Sequence, residues 1–268
     1  MRNGKTVEII NEELRVMQQK WFDTLPPKYK ATEKGLNHSV SSPFCCGISQ
    51  NDWESEKKLI MFVGEEPRNW WFNYEDHHHE GDIGYLQGYS IAYFEKQVYS
   101  LSREINGHDY FAEYQKESKN PFGRKNTSMF WAFIKRLSEK YAICWTNVDK
   151  LHKIKNDKTI LLNKEEEGDL HNNLINGKTL LLNEIAVVKP DYIIFLGKAY
   201  ENSIKGGLML QSEFENSPEL EKGKTVVEIN TSIAKKTLWM CHPAALNRSG
   251  KKLYEPTIKK IFELLKEN

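Results

Sequence analysis

Four segments limit what this chain can fold into more than any other feature. They are LIMFVGEEPRNWWF (59–72), YAICWTNVDKLH (141–152), DYIIFLGKAY (191–200) and TLWMCHPAALNR (237–248). Each opens on a short, almost uniformly apolar run. Such a run reads as a strand buried on both faces, the usual state of strands in a parallel sheet. The first, second and fourth runs end in polar residues just past the strand. Ligands of open α/β sheets bind outside the carboxyl ends of the strands. Glu65, Glu66, Asn147 and His242 therefore become candidates for one site, although they are far apart in the chain.

Amphipathic segments lie between these runs. Residues 6–24 place Val7, Ile10, Leu14, Met17 and Trp21 at helical spacing, and Pro26 and Pro27 end the pattern. Further helices are expected from Tyr85 onward, over 126–140, over 178–189 up to Pro190, and in the closing YEPTIKKIFELLKEN. KTVVEIN (224–230) reads as one more strand, a short helix is expected after the 191–200 segment, and 153–172 reads as a charged excursion. Strands alternating with helices imply a three-layer α/β/α fold around a central, mainly parallel sheet. The expected organisation is an N-terminal helical extension and irregular lead-in (1–57) packed on an α/β domain (58–268), with an insertion at about 73–125.

Composition narrows the function classes. The 268 residues suffice for a full core, and 39% hydrophobic with 12% aromatic content excludes wholesale disorder. Thirty-eight basic and 37 acidic residues leave a formal charge of +1, so there is no general basic coat, although a local basic patch is compatible with it. No run of about 18 apolar residues is present, so no membrane partner is expected. The N-terminal MRNGKTVEIINEELR lacks an apolar signal core. Cys45, Cys46, Cys144 and Cys241 form no C-x-x-C pattern, and Cys144 and Cys241 read as small buried hydrophobes. A reduced, cytoplasmic chain without a metal or other cofactor is the expectation.

The strand-end residues have chemistry to offer. In GEEP (64–67), Gly64 permits a tight turn and close ligand approach, and Pro67 stiffens the loop. The two glutamates can hold a water or stabilise a developing cation, or they can be an ordinary solvated turn. Asn147 offers a donor and an acceptor, which suits the edge of a pyrimidine; a turn asparagine bonded to its own backbone is the alternative. His242, followed by Pro243, can donate to an anionic leaving group or shuttle a proton, or can be a structural histidine. Phe122 in PFGR (121–124) can stack on a base or fill a core. Arg248 and Lys251 can touch phosphates or start a solvated helix. The run EDHHHEGD (75–82), with His77 to His79, lacks metal-ligand spacing and reads as a polar loop.

Together GEEPR, PFGR, TNVDK, KPDYIIFLGKA and HPAALNR resemble, in order and in strand-end placement, the motifs of the uracil-DNA glycosylase superfamily, closest to its family 4 branch. The resemblance spans about residues 58–265. It implies that Glu65 matches the carboxylate supporting water or the sugar cation, with Glu66 a second candidate. It makes Phe122 the ring stacked on the flipped base, Asn147 the amide reading its edge and His242 the group stabilising the departing base anion. Arg68 stands where family 4 has glycine, Ala244 where it has serine, and the cysteines do not match its iron–sulfur pattern. The implied function is hydrolysis of the N-glycosidic bond of a uracil-like or modified base in DNA after base flipping. Gly64, Pro67 and Pro243 would shape the pocket, and Arg68, Arg124, Lys198, Arg248 and Lys251 would hold backbone phosphates. The alternative is a catalytically inactive protein of the same fold that binds nucleic acid, nucleotide or, through the 73–125 insertion, a protein partner.

Overall fold

The computed structural model describes residues 2–29, 41, 43–65, 82–99, 129–155, 158–160, 162–197, 225–229, 231–246 and 253–266. All four apolar runs are strands: β1 (Leu59–Gly64), β2 (Ala142–Asn147), β5 (Tyr192–Leu196) and β7 (Lys236–Met240). Between them in sequence come β3 (Lys153–Lys155), β4 (Lys158–Ile160) and β6 (Val226–Ile229). The main sheet has the order β2-β1-β5-β7-β6. The pairs β1–β2, β1–β5 and β5–β7 are parallel, and β6 pairs antiparallel with β7 at one edge.

The helices are α1 (Val7–Thr24), α2 (Gln50–Trp53), α3 (Ile83–Tyr99), α4 (Met129–Ser138), α5 (Lys164–His171), α6 (Leu180–Val188) and α7 (Tyr254–Leu264). Successive strand residues point to opposite faces, and both faces are covered. Leu59, Met61, Val63, Cys144, Ile193 and Phe195 pack with Val7, Ile10 and Leu14 of α1 and with Leu181, Leu182 and Ile185 of α6. Ile60, Phe62, Ile143, Ile194 and Leu238 pack on the other side with Phe94 of α3, Phe133 and Leu137 of α4 and Ile261 of α7. This is a three-layer α/β/α arrangement. Val7, Ile10 and Leu14 of α1 lie in the same cluster as the sheet, and Trp21 and Phe22 in a second one.

Two further regions complete the described fold. The charged excursion at 153–172 contains the β3–β4 hairpin and α5. That helix is set by a capping box, in which the Asn163 side chain accepts from the Glu166 N–H and the Glu166 carboxylate accepts from the Asn163 N–H. The lead-in is ordered around β2. Ser41 N–H donates to His152 O (2.8 Å) and Phe44 N–H to Lys150 O (2.7 Å). The buried Asp52 of α2 accepts from Ile143 N–H (2.7 Å), from Tyr99 Oη (2.6 Å) and from Ser49 Oγ (2.5 Å), which covers the open edge of β2. Burial pushes the Asp52 carboxyl above its ordinary range, against those three hydrogen bonds. The short helix expected after 191–200, the His77–His79 run and the 73–125 insertion other than 82–99 lie outside the described residues.

Candidate functional site

The chain leaves β1, adds β2 on one side of it, and then crosses back to place β5 on the other side. In sheets with such a reversal, ligands bind beyond the carboxyl ends of the two strands at the reversal, here β1 and β5. Gly64 and Asn147 end their strands side by side in register. The chain beyond them stays paired, with Val148 N–H to Gly64 O (2.9 Å) and Asp149 N–H to Glu65 O (2.8 Å).

Gly64 has a specific reason to be glycine. A Cβ there would lie 2.2 Å from Asn147 Oδ1. The bare glycine lets the Asn147 amide lie against β1. Asn147 is 1% exposed, and its Nδ2 has no hydrogen-bond partner among the described residues. A buried amide donor left unbonded costs about 1–3 kcal/mol. Thr146, pointing to the opposite face, donates to Glu184 Oε2 (2.7 Å), which also pairs with Lys150 Nζ (2.6 Å). Gln18 Nε2 donates to the second Glu184 oxygen at 3.0 Å. Lys150 and Glu184 are 2% and 0% exposed, so the end of β2 is anchored from behind by a buried ion pair. Lys150 is therefore occupied in the core.

His242 follows β7 and is exposed. Pro243 opens a 3-10 turn (Pro243–Ala245), and the Ala244 N–H donates to His242 Nδ1 at 3.2 Å. With Nδ1 accepting, the neutral ring carries its proton on Nε2, which becomes a donor. Gly197, at φ +60, ends β5 beneath it; a Cβ there would come within 3.2 Å of His242 Cβ. The ring of Phe130 stacks on His242 (centroids 5.9 Å, planes 10° apart) and lies 5.7 Å from the ring of Trp145. Phe130 thus spans from β2 to the end of β7. Trp145 is backed by Phe44 at 4.6 Å and Trp131 at 5.2 Å.

Glu65, half-buried, is the first residue past β1. Beside its loop, Asp149 Oδ1 meets His171 Nε2 at 2.6 Å. One turn earlier on α5, the Glu167 carboxyl is pushed up by burial and by the charges of Asp149 and Glu65. Among the described residues no three His, Cys, Asp or Glu side chains are arranged to hold a metal ion.

Of the residues named from sequence, Gly64, Glu65, Asn147, His242 and Pro243 stand at the carboxyl end of the sheet. Glu66, Pro67, Arg68, Phe122, Arg124, Lys198, Arg248 and Lys251 lie outside the described residues. Sequence reasoning missed Phe130, Trp145 and the Asp149–His171 pair. Phe130 had a usable signal. A helix joining parallel strands runs against them, so the first turn of α4 must sit at the ligand end.

No described helix is long and apolar enough to cross a membrane. Comparison with protein-family models and with curated proteins finds no match for this chain.

Proposed function

We propose that this protein is a DNA glycosylase that hydrolyses the N-glycosidic bond of a uracil-like or modified base flipped out of DNA. The observation that carries the reading is the buried, unbonded Nδ2 of Asn147 at the carboxyl end of β2, beside Gly64. A base carbonyl would satisfy that donor while Oδ1 faces a ring N–H, and a neighbouring aromatic wall suits a flat ring. Bond cleavage leaves negative charge on the base and positive charge on the sugar. His242, with its proton on Nε2, donates to the base anion. Glu65 faces the sugar cation and orients water, with Glu66 as a second carboxylate. Groups held in place before the charge develops supply most of such catalysis. Phe122 stacks on the base, and Arg68, Arg124, Arg248 and Lys251 contact phosphates. The reaction is set in the cytoplasm and uses side chains alone.

The test is incubation with oligonucleotides carrying single uracil, hydroxymethyluracil, hypoxanthine or xanthine bases, followed by alkali cleavage of abasic sites. Cleavage at one of these bases is the expected outcome. DNA binding without cleavage of any of them would replace the enzyme by a non-catalytic binder, and loss of both would remove nucleic acid from the reading.

A further inference from the structure

We propose that Cys46 and Cys144 form a reversible disulfide that locks the 43–49 strap onto β2. The two residues are 98 positions apart, yet their sulfurs lie 3.6 Å from each other. An S–S bond of about 2.05 Å needs only a small further approach. Both positions are held independently. Cys144 is in the middle of β2, in register with Met61. The Cys46 carbonyl accepts from Gln18 Nε2 (3.1 Å) and from Gln87 Nε2 (3.0 Å), amides that come from α1 and α3. Two residues on, the Ile48 N–H and C=O are both bonded by the Asn11 side chain at 2.9 Å.

The pairing is unambiguous. Cys45 packs into a different apolar cluster, with its sulfur against Pro43 O at 3.7 Å. Cys241 is half-buried at the end of β7, on the face opposite Cys144. Contact with Cys144, and then burial, keep the Cys46 thiol well above its ordinary range. Oxidation therefore proceeds through brief opening of the strap and is slow in the closed protein. With a peroxide as oxidant, the Cys46 thiolate attacks one peroxide oxygen, giving a sulfenic acid and water. The Cys144 sulfur then attacks the Cys46 sulfur, the S–O bond breaks, and the hydroxyl leaves as a second water with the Cys144 proton. Two thiols and one hydrogen peroxide become one disulfide and two waters, the sulfurs losing the two electrons that the peroxide gains. A dithiol reverses the step.

The consequence reaches the aromatic residues beside His242. Phe44, two residues before Cys46, packs at 4.6 Å on Trp145, the residue after Cys144. The bond would fix this part of the aromatic wall. It depends on no assignment of substrate.

The full chain is treated with hydrogen peroxide, unfolded in iodoacetamide, digested and mapped by mass spectrometry. The expected result is a peptide pair joining Cys46 to Cys144 with loss of two hydrogens, released by dithiothreitol. Cys45→Ser and Cys241→Ser should retain it, and Cys46→Ser and Cys144→Ser should lose it. The oxidised protein should melt several degrees above the reduced form, because the bond closes a long loop in the unfolded chain. Alkylated Cys46 and Cys144 after treatment, or a linkage through Cys45 or Cys241, would overturn the proposal. The wild-type map decides even if a serine variant fails to fold.

Discussion

The two ends of the sheet are built on opposite principles. At the amino ends of the strands, charges are neutralised where they stand. Asp191, just before β5, accepts from Leu59 N–H (2.9 Å) and Arg2 Nη1 (3.2 Å) through one oxygen, with Lys58 (3.6 Å) and Lys235 (3.5 Å) near the other. Burial would raise its carboxyl, but the Leu59 N–H and the three cations hold it below its ordinary range. Lys57 donates to Ser138 O (2.8 Å) at the end of α4, and Lys236 donates to Leu264 O (2.5 Å) and Lys266 O (3.1 Å) at the end of α7. These helices end here because they run against the strands, and the lysines cover their unpaired carbonyls. At the carboxyl ends there is a glycine under an amide, an unbonded Nδ2, an imidazole with a set tautomer and an aromatic ring spanning both sides. Unbonded groups occur at the first end too, in Arg2 Nε and Thr237 Oγ1. Arg2, however, already uses its two terminal nitrogens on Asp191 and Ser55 O. The difference teaches that the charges at one end are met by the protein's own groups, whereas at the other a buried amide donor has no partner among the described residues.

The sharpest way to break this comparison is Asn147→Ala. If the carboxyl end is catalytic, base release from the preferred oligonucleotide should fall about 10²–10³-fold. Thermal stability should hold or rise, because an unbonded buried donor is removed. A large stability loss with unchanged rate would mark Asn147 as a structural residue. Gly64→Ala comes next. Its Cβ would displace the Asn147 amide, and a misplacement near 1 Å costs about 10²-fold in rate. An unimpaired Gly64→Ala variant would show that the packed amide is not the working arrangement.

At the other end Asp191→Ala should act on stability alone. It orphans the Leu59 N–H and leaves three cations uncompensated, for a loss of about 2 kcal/mol in chemical denaturation, with the rate of base release preserved. A selective loss of activity would contradict the division between the ends. Acid supplies a smaller, graded test. His152 is 1% exposed with an unbonded Nδ1, and burial lowers its pKa to about 4. A depressed histidine contributes stability above its unfolded pKa, near 6.5, and loses it as pH falls toward the folded value. Across that window His152 should contribute a slope of at most about 1.4 kcal/mol per pH unit, removed in His152→Gln. An identical pH profile in the variant would assign the acid sensitivity elsewhere. Smallest of all, Lys58→Ala removes one half-exposed partner of Asp191 and should cost no more than about 0.5 kcal/mol in the same denaturation measurement.

Much of this architecture is legible in the chain. Runs such as LIMFV and YIIFL are short, rich in strand-forming residues and apolar on both faces, as a buried strand requires, and all four such runs are strands. The rule that ligands sit at carboxyl ends of parallel strands is enough to nominate Glu65, Glu66, Asn147 and His242 before any coordinate is seen. The capping box at Asn163 and Glu166 is written in the sequence as well, although lysine-rich surroundings obscure it.

What the sequence determined by itself is therefore whatever rests on periodicity and local chemistry: which segments are strands, which are helices, and which polar residues follow the strands. The tertiary structure decided the rest, because it depends on pairings between distant segments. Strand order placed β5 beside β1, on the side away from β2, and β6 pairs antiparallel with its sequence neighbour β7. Packing of α4 against the sheet carried Phe130 onto His242, and the strap carried Cys46 to Cys144. Most telling is Asn147. Its identity is local, but whether its amide would find a partner was settled only by what lies around it: the missing Cβ of Gly64 leaves room for Oδ1, while Nδ2 meets no hydrogen-bond partner among the described residues.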